Sequence, residues 1–205
     1  MTPFRYRHGR VETTFELAEG RMLANLARQV IELLHDRNAP PESEDDPLAA
    51  EVGMTGAHQP PEDPVLRRLL PDGYSDDEEE SAEFRRYTEQ SLTLAKVDNA
   101  RTLLDSLDEA GVNDDPPVEN LEVELDDIQI PAWLRAINDM RLSLAVRLGI
   151  NSEEDATGLE QTVADARNTE AADQDSTDPE NSEQMMREVY LWLGYVQESL
   201  VGALE

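Results

Sequence analysis

Pro131-Ala132-Trp133-Leu134-Arg135-Ala136-Ile137-Asn138-Asp139-Met140-Arg141-Leu142-Ser143-Leu144-Ala145-Val146-Arg147-Leu148-Gly149 is the stretch that decides the fold class. Trp133, Ile137, Met140, Leu144 and Leu148 recur at three- and four-residue steps, which puts them on one side of an α-helix. Gly149 stops it. A helix with so continuous an apolar stripe needs other apolar faces to bury against, and the rest of the chain supplies them.

Upstream, Ala18 to Asp36 carries Leu23, Leu26, Ala27, Val30 and Leu34 at helical spacing, and Asn38-Ala39-Pro40-Pro41 ends that helix. Pro64 to Pro71 reads as a short helix with proline at its first position. An acidic run, Asp76-Asp77-Glu78-Glu79-Glu80, opens a long helix from about Ser81 to Ala110, with Gly111 as its C-cap. Tyr87, Leu94, Val97, Leu104 and Leu107 lie along one expected inward face, with Phe84 near the start of the helix. Downstream, a last helix from about Ser182 to Leu204 places Met186, Val189, Leu193, Val196 and Leu200 on one side. Two short β features complete the chain. Phe4 to Phe15 reads as a hairpin turning at His8-Gly9, and Leu121-Glu122-Val123-Glu124-Leu125 alternates as one extra strand able to join it. The expected fold is therefore mainly α: a bundle of four to five helices with a short N-terminal β-hairpin. Residues 1–205 form a single domain, in which 37–63 and 151–183 are acidic, flexible insertions. The second insertion holds eleven carboxylates against Arg167 alone.

The formal net charge is -29 and Lys96 is the sole lysine among 17 basic residues. Phosphate backbones are bound by clustered Lys and Arg, so direct nucleic-acid binding is not expected. Cysteine is absent, which removes disulfides, thiolate metal sites and thiol redox switching. No segment approaches the roughly 18 apolar residues of a membrane span, and no signal peptide opens the sequence, so a cytoplasmic protein is expected.

Signatures of catalysis are missing: there is no phosphate-binding glycine pattern, no paired histidines at metal spacing and no nucleophile elbow. His8, His35 and His58 each read as surface residues. Glu153-Glu154-Asp155-Ala156-Thr157-Gly158 is loosely like a calcium loop, but Ala164 stands where the bidentate twelfth ligand is needed. No metal or cofactor is expected. Partner-binding candidates remain. Arg67 and Arg68 could meet an acidic surface, although answering the acidic run within the chain is the better reading. Asn138, Asp139 and Arg141 interrupt an apolar helix, either as a polar clamp between helices or as a ligand contact. Tyr190, Trp192 and Tyr195 make the last helix apolar well beyond one stripe, which suits core packing first and an interface second.

Three stretches carry a family resemblance: Asp63 to Asp72, Trp133 to Leu142 through Ile150, and Val189-Tyr190-Leu191-Trp192-Leu193. Their order and spacing resemble a small actinomycete family catalogued as a domain of unknown function and labelled AosR-like, after oxidative-stress regulation of transcription. The resemblance spans Phe4 to Leu204. It implies a cytosolic regulator that acts with the transcription machinery through a sigma factor. Redox sensing in such regulators uses paired cysteines, so that property does not carry over here. The expected function is a non-enzymatic acidic adaptor that binds a protein of the transcription machinery. Two competitors stand beside it: a metal-assisted hydrolase using carboxylates of the acidic loops, and a structural homodimer.

Overall fold

The structure is a computed structural model that describes residues 1–38, 59–74, 77–152, 154–159 and 179–205. Most of the two acidic insertions, the stretch Pro47–Val52, His58 and Glu153 lie outside the described residues. What is described is mainly helical, with one small antiparallel sheet.

β1 (Arg5–Arg7) and β2 (Arg10–Glu16) form the expected hairpin. Its two-residue turn has φ of 51° at His8 and 84° at Gly9, the left-handed pair that lets a tight turn follow the strand twist. β3 (Asn120–Leu125) joins β2 in the order β1-β2-β3. The register places Val11 opposite Leu125, Thr13 opposite Val123 and Phe15 opposite Leu121. All six are buried. Both strands thus turn their alternate residues to the same side, and a one-residue slip would expose the whole set.

α1 (Leu17–Asn38) follows β2 directly. Glu19 reaches back to the Glu16 amide at 2.8 Å, as the third residue of a capping box does. α2 (Pro64–Leu69) starts on Asp63, whose carboxylate accepts from the Val65 amide at 2.6 Å. α3 (Glu78–Glu109) begins three residues before the sequence reading, because Asp77 is its cap and Glu78–Glu80 fill its first turn. It ends at Gly111, φ 91°, where the Gly111 and Val112 amides return to the Asp108 and Leu107 carbonyls. α4 (Gln129–Arg147) and α5 (Pro179–Gly202) match the expected helices within a few residues. A helical stretch over 154–159 sits inside the second expected insertion, and Leu159 is buried.

α4 lies at the centre and packs against α1, α2, α3 and α5. Trp133, Phe15, Leu23, Leu34, Leu103, Leu107 and Leu193 are fully buried around it in a single core. Phe4, Phe15 and Trp133 meet with ring centroids 6.1–6.2 Å apart, a spacing typical of aromatic pairs. The indole Nε1 of Trp133 donates to Ser106 Oγ at 3.2 Å, so α3 satisfies the largest buried side chain of α4.

One expectation is corrected. Val97 and Leu107 of α3 are buried, and Leu104 partly so, but Phe84, Tyr87 and Leu94 are exposed. The inward positions over the first half of the helix are Ser81, Arg85, Glu89 and Thr93. Carried backwards at 3.6 residues per turn, the Val97–Ala100–Leu103–Leu107 face arrives at these polar residues. Polar partners, not apolar burial, hold that half down. Arg85 bonds Asp72, Ser81 donates to the Tyr74 carbonyl, and Glu89 receives Arg37 of α1 at 2.7 Å.

Candidate functional site

Asn138, Asp139 and Arg141 occupy one turn of α4 and point three ways, because each residue step rotates the side chain by about 100°. Asn138 is exposed. Asp139 is 3% exposed and accepts from Lys96 Nζ of α3 at 2.6 Å. Arg141 is half-buried on the other flank, where its Nη1 donates to Gln197 Oε1 of α5 at 2.7 Å. Its guanidinium carbon lies 5.2 Å from the centre of the Tyr190 ring, within cation–π range. α4 is thus tied to α3 through Asp139 and to α5 through Arg141. Burial pushes the Asp139 carboxyl up from its ordinary value, against the opposing pull of Lys96.

The aromatic candidates on α5 separate as well. Tyr190 is buried beneath Arg141, and Trp192 is half-buried, edge-on to Phe15 at 6.3 Å. Tyr195 is 46% exposed. Arg67 and Arg68 on α2 are both exposed, and Arg67 Nε donates to the Pro61 carbonyl at 2.5 Å. The eight candidates therefore do not converge on one point. Only Arg141 and Tyr190 touch each other among the contacts described above.

Two clefts border these residues. Between α1 and α4, a cleft lined by Leu26, Val30, Met140 and Arg147 encloses about 20 Å³, space for a single water. A wider groove along Arg141, Gln197, Glu198 and Val201, about 350 Å³, is open to solvent. Among the described residues, no three His, Asp or Glu side chains come close enough to hold a metal ion. His8 lies in the β1–β2 turn and His35 is exposed in the last turn of α1. Among the same residues, no helix is long and apolar enough to cross a membrane.

The structure also exposes a feature that the sequence reading assigned to the core. Phe84, Tyr87 and Leu94 run along the outside of α3, and Tyr74 sits edge-on to Phe84 at 6.2 Å. A signal for this existed in the sequence. Two helical stripes compete in α3, and only the one through Ser81, Arg85, Glu89 and Thr93 is in phase with Leu103 and Leu107.

No solved structure matches the chain. Oxidative stress regulator AosR of Mycobacterium tuberculosis (strain ATCC 25618 / H37Rv) and that of Mycobacterium bovis (strain ATCC BAA-935 / AF2122/97) are each 36% identical to it over 146 residues. Those alignments cover 64% of this chain and 62% of each relative. The putative oxidative stress regulator AosR of Mycobacterium leprae (strain TN) is 33% identical over 144 residues, 63% of this chain and 61% of the relative. The chain thus aligns with a little over three-fifths of the length of these curated relatives. The model of the family described as a domain of unknown function, DUF2017, matches residues 1–204. That span takes in the hairpin, the sheet and every helix described above, in agreement with the resemblance carried by the Asp63–Asp72, Trp133–Ile150 and Val189–Leu193 stretches. The chain belongs to the DUF2017 family.

Proposed function

We propose that this chain is a non-enzymatic, cytoplasmic regulatory adaptor that binds a protein of the transcription machinery, a sigma factor first among them, in a stress response. The observation that carries the reading is the naming of its mycobacterial relatives as oxidative stress regulators, at 33–36% identity. Two features agree with it. The candidate side chains do not converge on a reacting atom. A net charge of -29 suits a basic protein partner and opposes bare DNA. With no cysteine in the chain, the signal reaches it by a route other than its own thiols.

Affinity capture of the tagged chain from its native host, with quantitative mass spectrometry, tests this. Enrichment of a sigma factor or polymerase subunit is expected at low ionic strength, with loss of the complex as salt is raised. Bare DNA should not be retarded in a gel by the chain alone. Recovery of no transcription component overturns the reading.

A second reading, a homodimer across α5, is supported by one observation: Met185 and Tyr195 on that helix are 63% and 46% exposed. Light scattering of the wild type against Tyr195→Asp decides it, since a dimer resting on this face would fall to half its mass in the variant.

A further inference from the structure

α3 is inverted over its first half. Its core-facing side carries Ser81, Arg85, Glu89 and Thr93, and its outward side carries Phe84, Tyr87 and Leu94. A surface helix ordinarily does the reverse, because apolar groups gain by leaving water and charges lose by it. Isolated exposed apolar residues are common on any protein. These three are not isolated. Positions 84, 87 and 94, with Ser91 between them, follow the three- and four-residue alternation by which one helix presents knobs to another. Tyr74 extends the strip at one end through its contact with Phe84. Arg86 rests on one side of the Tyr87 ring, 4.8 Å from its centre, yet Tyr87 remains 63% exposed and Leu94 56%. Ion pairs from Arg37 and Asp72 to the inward Glu89 and Arg85 hold this half-helix in place, so its outer side is presented on a held backbone.

The surroundings of the strip indicate what covers it. Exposed Glu78, Glu79, Glu80 and Glu83 border one end, and exposed Asp98 borders the other, with Arg101 3.9 Å from Asp98. A second copy of the chain would bring those same carboxylates against each other, with a net charge of -29 on each copy. A helix with an apolar stripe and lysine or arginine flanks matches both the spacing and the charge. We propose that Phe84, Tyr87 and Leu94 form a docking strip for a basic amphipathic helix of a partner protein. This deepens the reading above and rests on its premise that the chain works through a protein partner.

The test uses the full chain and a defined probe: a fluorescein-labelled three-heptad peptide with leucine at the a and d positions and lysine or arginine elsewhere. Fluorescence anisotropy should show it binding the wild type. Tyr87→Ser/Leu94→Ser should weaken binding at least about tenfold, as should Glu83→Lys/Asp98→Lys. An otherwise identical peptide with glutamate in place of its basic residues should bind at least about tenfold more weakly. Ile128→Ser, which alters an exposed apolar residue away from the strip, should bind the basic peptide as the wild type does. Circular dichroism should be unchanged in each variant, because every substituted side chain is exposed.

Equal binding by wild type and Tyr87→Ser/Leu94→Ser overturns the proposal, since the peptide would then respond to net charge alone. No binding by the wild type also overturns it. A wild-type dimer in sedimentation that this double variant dissociates assigns the strip to a second copy, and overturns it too. The peptide assay does not depend on the native partner. Failure here, with a transcription protein still captured from the host, removes the strip and leaves the adaptor; failed capture with peptide binding intact does the opposite.

Discussion

Asp139 sits 3% exposed on the inward side of α4, 2.6 Å from the amine of the chain's sole lysine. Burial outweighs Lys96, and the carboxyl is pushed up from its ordinary value. The sign of its pH effect follows. Between the unfolded value of about 3.9 and the higher folded value, the folded chain binds the proton at Asp139 more tightly than the unfolded chain does. Over that window the contribution of this group to stability falls as pH rises, opposite to a carboxylate held down by a salt bridge. Asp139→Asn removes the titration. Urea unfolding of both proteins from about pH 4 to pH 7 should show the wild-type advantage over Asp139→Asn largest at the acid end and shrinking as pH rises. An advantage that grows with pH would mean that Lys96 controls the site instead. Sequence alone found the polar interruption at 138–141 but not its geometry. The inward residue is Asp139, whose partner stands 43 residues away on another helix. Local spacing carries no record of such long-range partners.

At the scale of elements, the sequence was most legible where burial is apolar and least where it is ionic. The stripes read for α1, α4 and α5 turn inward, each residue of them buried or half-buried. β2 and β3 alternate strictly, which leaves a single register that hides both inward sets. α3 carries two stripes. The rule that apolar means inward chose the wrong one over residues 84–94, because the winning stripe depends on Arg37 and Asp72 from elsewhere in the chain. The start of α3 is a further test of local chemistry. Asp77 accepts from the Glu79 and Glu80 amides, both at 3.0 Å, and those amides have no partner within the helix. Asp77→Ala should therefore cost about 1 kcal/mol in chemical denaturation. The loss should be partly recovered by Asp77→Ser, which can accept the same bonds. An Asp77→Ala variant as stable as the wild type would show that the ion pairs at Arg85 and Glu89, and not the cap, fix this end of the helix.

For the whole molecule, charge acts in two opposed ways. A net charge of -29 on 205 residues repels itself in the compact state, and added salt screens that repulsion within about 10 Å at 0.1 M. Two of the ion pairs that join elements lie largely out of water: side chains of the Arg37–Glu89 pair are 17% and 5% exposed, and those of Lys96–Asp139 are 15% and 5% exposed. Salt reaches such pairs far less than it reaches surface charge. Raising NaCl from about 10 mM to about 0.5 M should therefore increase the melting temperature, followed by circular dichroism, because relief of long-range repulsion exceeds the weakening of buried pairs. A melting temperature that falls would mean that the ion pairs dominate the balance. Association with a basic partner must respond in the other direction, since the attraction that assembles the complex is screened by the same ions. One salt titration, read once by melting and once by binding of the basic peptide, separates the two. A chain that grows more stable while its complex weakens holds its fold and its docking by different forces.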